Sequence, residues 1–158
     1  MLKSNRRLCI VFAGPYGNDV AGEIKYYQKI KKLLIKEKLK YLFFGNLTRE
    51  KLGAFYKAID VLVLPSINQT ESFGMVQSEA MLLGTPVIAT NLPGVRVPIK
   101  LTKMGIIVEP KNNRQISNAI TNIVKNKQKY SNIKLIKNAE KIFNIKKVYR
   151  FYENLISF

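Results

Sequence analysis

Short apolar runs alternate along the chain with longer segments whose apolar residues recur at helical spacing. Short runs bounded by turn residues are typical of buried strands, and they predict strands at residues 8–13, 41–44, 61–64, 87–90 and 106–108. The periodic segments predict helices at residues 19–38, 49–57, 72–83, 114–125, 132–143 and 146–156. Residues 91–105, which are rich in Pro and Gly, predict a loop.

Strands that alternate with helices of this length form βαβ units. We therefore expect an α/β fold, a Rossmann-like parallel sheet with helices on both faces. No repeat or linker interrupts the pattern, so residues 1–158 are predicted to form a single domain with residues 130–158 as its C-terminal helical extension. Ligands of such sheets bind beyond the carboxyl ends of the strands, which directs attention to residues 14–17, 45–47, 65–74 and 91–96.

The composition excludes several kinds of chemistry, because the 158 residues include no His and one Cys. Without His there is no imidazole base, no His-containing catalytic triad and no imidazole metal ligand. A single Cys excludes a disulfide within the chain and a zinc site built from cysteines, so no metal and no cofactor are expected. Cys9 stands in an apolar run, and we expect it to be buried and inert.

Basic residues outnumber acidic ones by 27 to 10, a formal net charge of +17. The excess lies in two flanks, since residues 1–60 hold 13 basic and 5 acidic groups and residues 111–158 hold 11 and 2. These flanks are interpreted either as solvated helix faces or as a surface for nucleic acid or an anionic membrane. No apolar run approaches the ~20 residues of a membrane span. The expected location is the cytoplasm, with peripheral membrane contact left open.

The neutral centre of the chain holds two glutamates separated by seven residues, Glu71 and Glu79. The predicted geometry places Glu71 in the loop before a helix and Glu79 two turns inside it. Glu79 lies beside apolar positions, where a carboxylate needs a partner, and ligand hydroxyls are suitable donors. Free N–H groups at the helix start favour an anion. The alternative is that Glu71 only favours the helix start and Glu79 is an ordinary surface residue.

The motif P-S-x4-E-x-F-G-x4-E-A-M-x2-G-x-P-V-I-A, at residues 65–89, resembles the nucleotide-sugar-binding half of retaining glycosyltransferases with the GT-B fold, group 1 or family 4. The resemblance extends over roughly residues 8–126 and includes A-I-D-V-L-V-L-P-S before the motif and L-P-G-V-R and G-I-I-V-E-P after it. It implies that the chain is the C-terminal, donor-binding domain of such an enzyme.

The resemblance also implies roles for individual residues. Glu71 matches the glutamate that contacts hydroxyls of the donor sugar, and it is the residue assigned to catalysis. Glu79 matches the glutamate that holds the ribose hydroxyls. Other implied donor-binding positions are the backbone of Phe73, Gly74, Met75 and Val76 for the sugar and diphosphate, Gly45, Asn46 and Leu47 for the base, Gly14 for a glycine turn, and Arg96 in a cleft loop.

Chemistry in the resembled family is hexosyl transfer with retention, in which the leaving diphosphate helps to deprotonate the acceptor. In such a reaction the protein mainly positions the reacting groups and stabilises phosphate charge. The donor-binding half therefore needs no general base, which is compatible with the absence of His. The implied partners are a nucleotide-diphosphate sugar, which is substrate and not cofactor, and an acceptor-binding domain that is separate or missing. A homo-oligomer is left open, and nucleic acid is not expected.

The resemblance implies that the chain is shorter than a complete enzyme of this kind, and we expect the first strand and helix of the donor domain to be absent from it. An excised domain, a truncated gene, one half of a two-subunit enzyme and a binding module with a new role all remain open. The alternative function is a non-enzymatic basic module that binds nucleic acid or an anionic membrane. A dinucleotide-binding domain is disfavoured, because residues 13–17 lack the G-x-G-x-x-G spacing.

Overall fold

The computed structural model describes residues 8–68, 71–144 and 146, and the fold is α/β with parallel strand pairs, as predicted. The chain divides after Gly53 into two compact units, unit 1 before this point and unit 2 after it. The elements in chain order are β1 Cys9–Phe12, α1 Ile24–Lys36, β2 Lys40–Phe43, α2 Arg49–Ala58, β3 Leu62–Leu64, α3 Met75–Leu82, β4 Val87–Thr90, α4 Val97–Thr102, β5 Gly105–Val108, α5 Asn113–Lys125, α6 Lys127–Tyr130 and α7 Ile133–Ile142.

Unit 1 contains a two-stranded parallel sheet in which β1 pairs with β2 from Cys9↔Lys40 to Phe12↔Phe43. The rings of Phe12 and Phe43 stack with their centroids 4.5 Å apart. The expectation of a buried β1 is wrong, because Cys9 is exposed and the other three residues are half-buried. A sheet of two strands offers its residues fewer neighbours than a wider sheet does.

Unit 2 contains a three-stranded parallel sheet in the order β3-β4-β5. All four residues of the central strand β4 are buried, and since side chains alternate between faces, both faces are covered. On one face Ile88 packs with Val108 of β5 and with Ala119 and Ile123 of α5. The crossovers through α3 and α4 run in the same direction across the sheet, so right-handed connections place both helices on the other face.

The end of α3 follows the predicted pattern. Gly84 comes directly after the C-cap residue Leu83, and its N–H donates to the Met81 carbonyl at 3.0 Å. The next N–H, that of Thr85, donates to the Ala80 carbonyl at 2.8 Å. These two bonds form a Schellman motif, which satisfies carbonyls that the helix leaves free and turns the chain into β4.

Several predicted elements differ from the structure. The helix expected over 19–38 begins at Ile24, because a 3-10 turn at Gly17–Asp19 and a turn at residues 21–22 come first. The helix expected from 72 begins at Met75. Residues 91–105 are not only loop but contain α4, with Pro98 in its first turn, where the missing N–H costs nothing.

Apart from residue 146, the predicted helix 146–156 lies outside the described residues. The assignment of residues 1–158 to one domain, with 130–158 as its extension, stays a prediction. Within the described ranges, no helix combines the length and apolar character required to cross a bilayer.

Candidate functional site

The loop between β3 and α3 carries Glu71 and reverses direction at Gly74. One carboxylate oxygen of Glu71, Oε1, accepts a hydrogen bond from the Gly74 N–H at 2.9 Å. Gly74 is the residue before the helix and has φ 70° and ψ 68°, a left-handed conformation that glycine adopts without steric cost. This turn ends the loop and starts the helix at Met75, so Glu71 stays in the loop, as predicted.

The same loop packs directly on the segment that follows β4. A Cβ atom added to Gly94 would lie 1.5 Å from the Ser72 carbonyl oxygen, far inside van der Waals contact. Only glycine therefore permits this approach of two backbone segments. The L-P-G-V-R signature thus has a structural role, because its glycine holds the loop residues next to Glu71 in place.

Gln77 joins the two segments with its side-chain amide. Its Nε2 atom donates to the Phe73 carbonyl at 3.0 Å and to the Val95 carbonyl at 2.9 Å. The residue has no solvent exposure, and its Oε1 atom has no hydrogen-bond partner among the described residues. A buried amide with both donors used ties the backbone just before α3 to the segment that follows β4.

Glu79, the fifth residue of α3, receives a hydrogen bond from a tyrosine. The Tyr56 hydroxyl donates to Oε2 of Glu79 at 2.8 Å. Tyr56 is 4% exposed, and Glu79 is half-buried beside the fully buried Ala80. The Glu79 carboxylate therefore has a hydrogen-bond donor within unit 2, as the sequence predicts that it needs, but only at one of its two oxygens.

The tyrosine keeps its proton well beyond neutral pH. Burial, and then the hydrogen bond and the charge of Glu79, raise the pKa of Tyr56 above its usual value. A neutral phenol donates a hydrogen bond, whereas a phenolate cannot. The Tyr56 hydroxyl is therefore a permanent donor to Glu79 under physiological conditions.

Arg96 is held in a polar chain at the carboxyl ends of β4 and β5. Its Nη1 atom donates to Oδ1 of Asn91 at 3.1 Å, and Nδ2 of Asn91 donates to Oε1 of Glu109 at 2.9 Å. The Glu109 N–H in turn donates to Oε1 of Gln115 at 2.7 Å. Asn91 and Glu109 each follow the last residue of a strand, so these groups lie at the edge of the sheet where the sequence predicts a ligand.

The first turn of α3 presents free donors at the same edge. The Gln77 N–H donates to the Gly74 carbonyl at 2.8 Å, whereas the N–H groups of Met75 and Val76 meet no acceptor among residues 8–68, 71–144 and 146. Met75 is 70% exposed and Val76 38%. Exposed N–H groups at a helix N-terminus, together with the helix dipole, attract an anion.

The remaining predicted residues belong to unit 1. The Gly14 N–H donates to the Gly45 carbonyl at 2.9 Å, which joins the loops that follow β1 and β2. Asn46 is exposed and Leu47 is half-buried. These four residues therefore lie beyond the carboxyl ends of their own two strands.

Sequence reasoning missed Tyr56, Gln77 and Glu109, and it included Asn91 only as part of the loop 91–96, without a role. Tyr56 is 23 positions from Glu79, and no local spacing links the two. Asn91 and Glu109 could have been found, since each polar residue directly follows a predicted strand. Within the described part of the chain, no three His, Cys, Asp or Glu side chains gather as metal ligands would.

The parallel sheets, their flanking helices and the polar loops beyond the strand ends define a domain of the GT-B type. Anabaena HepE, solved with UDP, has a TM-score of 0.81 at 22% identity over 99% of this chain and 43% of that one. The C-terminal domain of the Francisella tularensis group 1 glycosyl transferase LpcC has a TM-score of 0.66 at 19% identity, covering 88% of this chain and 85% of that one.

Sequence comparison then gives the family. Residues 2–142 match the family described as "Glycosyl transferases group 1", and the chain belongs to this family. It is 36% identical over 98 residues to D-inositol 3-phosphate glycosyltransferase of Streptomyces bingchenggensis, a match that covers 62% of this chain and 21% of the relative. The chain thus spans about a fifth of the length of the curated relatives it matches.

Proposed function

We propose that this chain is the donor-binding half of a retaining, family 4 glycosyltransferase, and that it binds a nucleotide-diphosphate sugar. Membership of the group 1 glycosyl transferases supports a function in sugar transfer. It favours this function over the alternative of a non-enzymatic basic module that binds nucleic acid or a membrane. The fold is shared with HepE, which was solved with UDP and with UDP-glucose. A sugar nucleotide is therefore the ligand class to test first.

The arrangement of Glu71 and Glu79 around the start of α3 carries this proposal. Glu71 shapes the loop through its bond to the Gly74 N–H, and its second oxygen serves the donor sugar. The N–H groups of Met75 and Val76 serve the diphosphate, because they have no acceptor among the described residues and belong to exposed residues at the positive end of the helix. Glu79, further along the same helix, serves the ribose hydroxyls. Sugar, diphosphate and ribose thus follow one another along a single loop and helix.

The proposed reaction is front-face substitution at the anomeric carbon with retention. The bond from that carbon to the diphosphate oxygen breaks as the bond to the acceptor oxygen forms, and the acceptor proton moves to the departing diphosphate. The protein contributes position and stabilisation of phosphate charge. Arg96, tethered through Asn91 at the strand ends, is the cation proposed to contribute to that stabilisation.

The acceptor is proposed to bind to a separate domain or subunit. Nothing in unit 2 is proposed to act as a general base, and the chain contains no His that could do so. In this scheme the donor binds to the isolated chain, whereas transfer requires the acceptor-binding partner. Binding, and not turnover, is therefore the property to measure first.

The test is titration calorimetry of UDP-, GDP- and ADP-glucose against wild type, Glu79→Ala and the control Glu140→Ala. Glu140 is an exposed glutamate of α7, so its removal changes the charge without touching the site. We expect at least one donor to bind, with Glu79→Ala costing about 1.5–3 kcal/mol, or roughly ten- to a hundredfold in affinity. No binding of any donor, or equal loss in both variants, would contradict the proposal.

A further inference from the structure

Glu79 is a carboxylate that relies on a neutral donor in a strongly basic chain. Among the described residues, no Lys or Arg side chain forms an ion pair with it, although the chain contains 27 of them. Its Oε2 atom accepts from Tyr56, and its Oε1 atom accepts no hydrogen bond from any described residue. One oxygen is thus held and the other is open.

Tyr56 is itself fixed at both ends. Its backbone carbonyl accepts a hydrogen bond from the buried Thr85 hydroxyl, at the turn between α3 and β4. Its ring lies edge-on to that of Phe55, with the centroids 5.8 Å apart, and its side chain is 4% exposed. The hydroxyl therefore reaches Glu79 from a side chain with little freedom to move.

We propose that Tyr56 is a positioning residue that holds the Glu79 carboxylate ready to accept the ribose hydroxyls of the donor. A flexible glutamate loses rotamer freedom when it binds a ligand, and that loss weakens affinity. The hydrogen bond from Tyr56 selects one orientation before the ligand arrives. It also occupies Oε2, so that Oε1 and the remaining lone pairs of the carboxylate are left for the diol.

Because this role rests on the proposed function, the test must separate recognition of the ribose from binding in general. The probes are the nucleoside diphosphate that wild type binds best, out of UDP, GDP and ADP, and its 2′,3′-dideoxy analogue. Wild type should prefer the ribonucleotide. Equal affinity for the two probes, or no binding of either, would overturn the proposed role of Glu79 and this inference with it.

The informative variant is Tyr56→Phe, which removes the hydroxyl and keeps the ring. We expect it to bind the ribonucleotide about three- to tenfold more weakly and to bind the dideoxy analogue as wild type does. A merely structural role would weaken both probes equally, and that result, or no change in either, would overturn the inference. Wild-type preference combined with an unaltered Tyr56→Phe would leave the proposed function intact and remove only the role of Tyr56.

Two further variants complete the test. Tyr130→Phe is the matched control, since Tyr130 is 8% exposed and packs in the cluster of α5 with β4 and β5; it should bind both probes as wild type does. If Tyr56→Phe does not fold, Thr85→Val is used instead. It keeps the Tyr56 hydroxyl but removes the Thr85 hydroxyl that holds the Tyr56 backbone carbonyl. It should lose part of the same preference, about twofold or more. A full preference in Thr85→Val would count against positioning by Tyr56.

Discussion

Gly94 offers the most direct physical test of how the loop at Glu71 is held. In Gly94→Ala the new Cβ would lie 1.5 Å from the Ser72 carbonyl oxygen, whereas real Cβ contacts stay beyond 3.0 Å. The backbone on one side must therefore move by about 1.5 Å. Because the obstacle is backbone and not a flexible side chain, we expect a free-energy cost of about 3 kcal/mol, the upper end for overpacking.

The displacement should also reach the ligand. Ser72 lies between Glu71 and Phe73, so moving it shifts both the carboxylate and the donors at the start of α3. Losing one well-aligned hydrogen bond costs about 1.5 kcal/mol, and we expect donor affinity to fall at least about tenfold. The assays are urea denaturation and calorimetric titration of the donor, at a temperature where the variant is folded.

Two other glycines serve as controls. Gly105→Ala places a Cβ 2.0 Å from the Val87 carbonyl oxygen. This contact lies at the start of β4, away from the carboxyl ends of the strands where the candidate site lies. The substitution should destabilise the fold without changing the affinity of the folded protein. Gly53→Ala meets nothing within 4 Å in the interior of α2, and should stabilise by up to about 1 kcal/mol. If Gly94→Ala melted and bound like wild type, the packing of the loop on residues 92–96 would be refuted.

Three further predictions concern stability. Gln77→Leu leaves the carbonyls of Phe73 and Val95 without their donor and should cost about 1–3 kcal/mol in urea denaturation, whereas the exposed Gln128→Leu should cost less than about 0.5 kcal/mol. Asn112→Ala removes the side-chain oxygen that accepts from the Gln115 N–H at the start of α5; calorimetric melting should show a loss of about 1 kcal/mol, and an unchanged melting temperature would rule out this cap. The raised pKa of Tyr56 means that the unfolded chain releases this proton first, so its stabilisation is complete below about pH 10 and is lost as the pH rises further. Urea midpoints measured upward from about pH 9 should therefore fall more steeply in wild type than in Tyr56→Phe, and parallel slopes would refute this linkage.

Local patterns predicted the elements well where local physics decides them. The run V-L-V-L before Pro65 gave β3 to within one residue, and Gly84 ended α3 as predicted. Where a local feature interrupts a longer pattern, the prediction failed. The helical periodicity of residues 72–83 predicted a helix from residue 72, although the left-handed turn at Gly74 delays its start to Met75. The prolines of residues 91–105 favoured a loop, although Pro98 lies in the first turn of α4, where proline is well accommodated.

The two glutamates of the candidate site were predictable from the sequence, whereas the contacts that hold them in place were not. Glu71 and Glu79 were identified by their motif, and the need of Glu79 for a donor followed from its apolar neighbours. The donor, Tyr56, comes from a different helix, and the contact of Gly94 with Ser72 joins two loops that follow different strands. Such contacts depend on how the strands pair, which spacing along one chain does not specify.

The proposed function requires the loop and first turn of α3 to bind the diphosphate of a sugar nucleotide. Amide NMR spectra of the full chain, recorded while UDP-, GDP- or ADP-glucose is added, test it most directly. We predict that one donor shifts the backbone amide signals of Phe73, Gly74, Met75 and Val76 in wild type, and shifts them far less in Gly94→Ala. Saturating donor that leaves these four signals in place would contradict binding of the diphosphate at the start of α3.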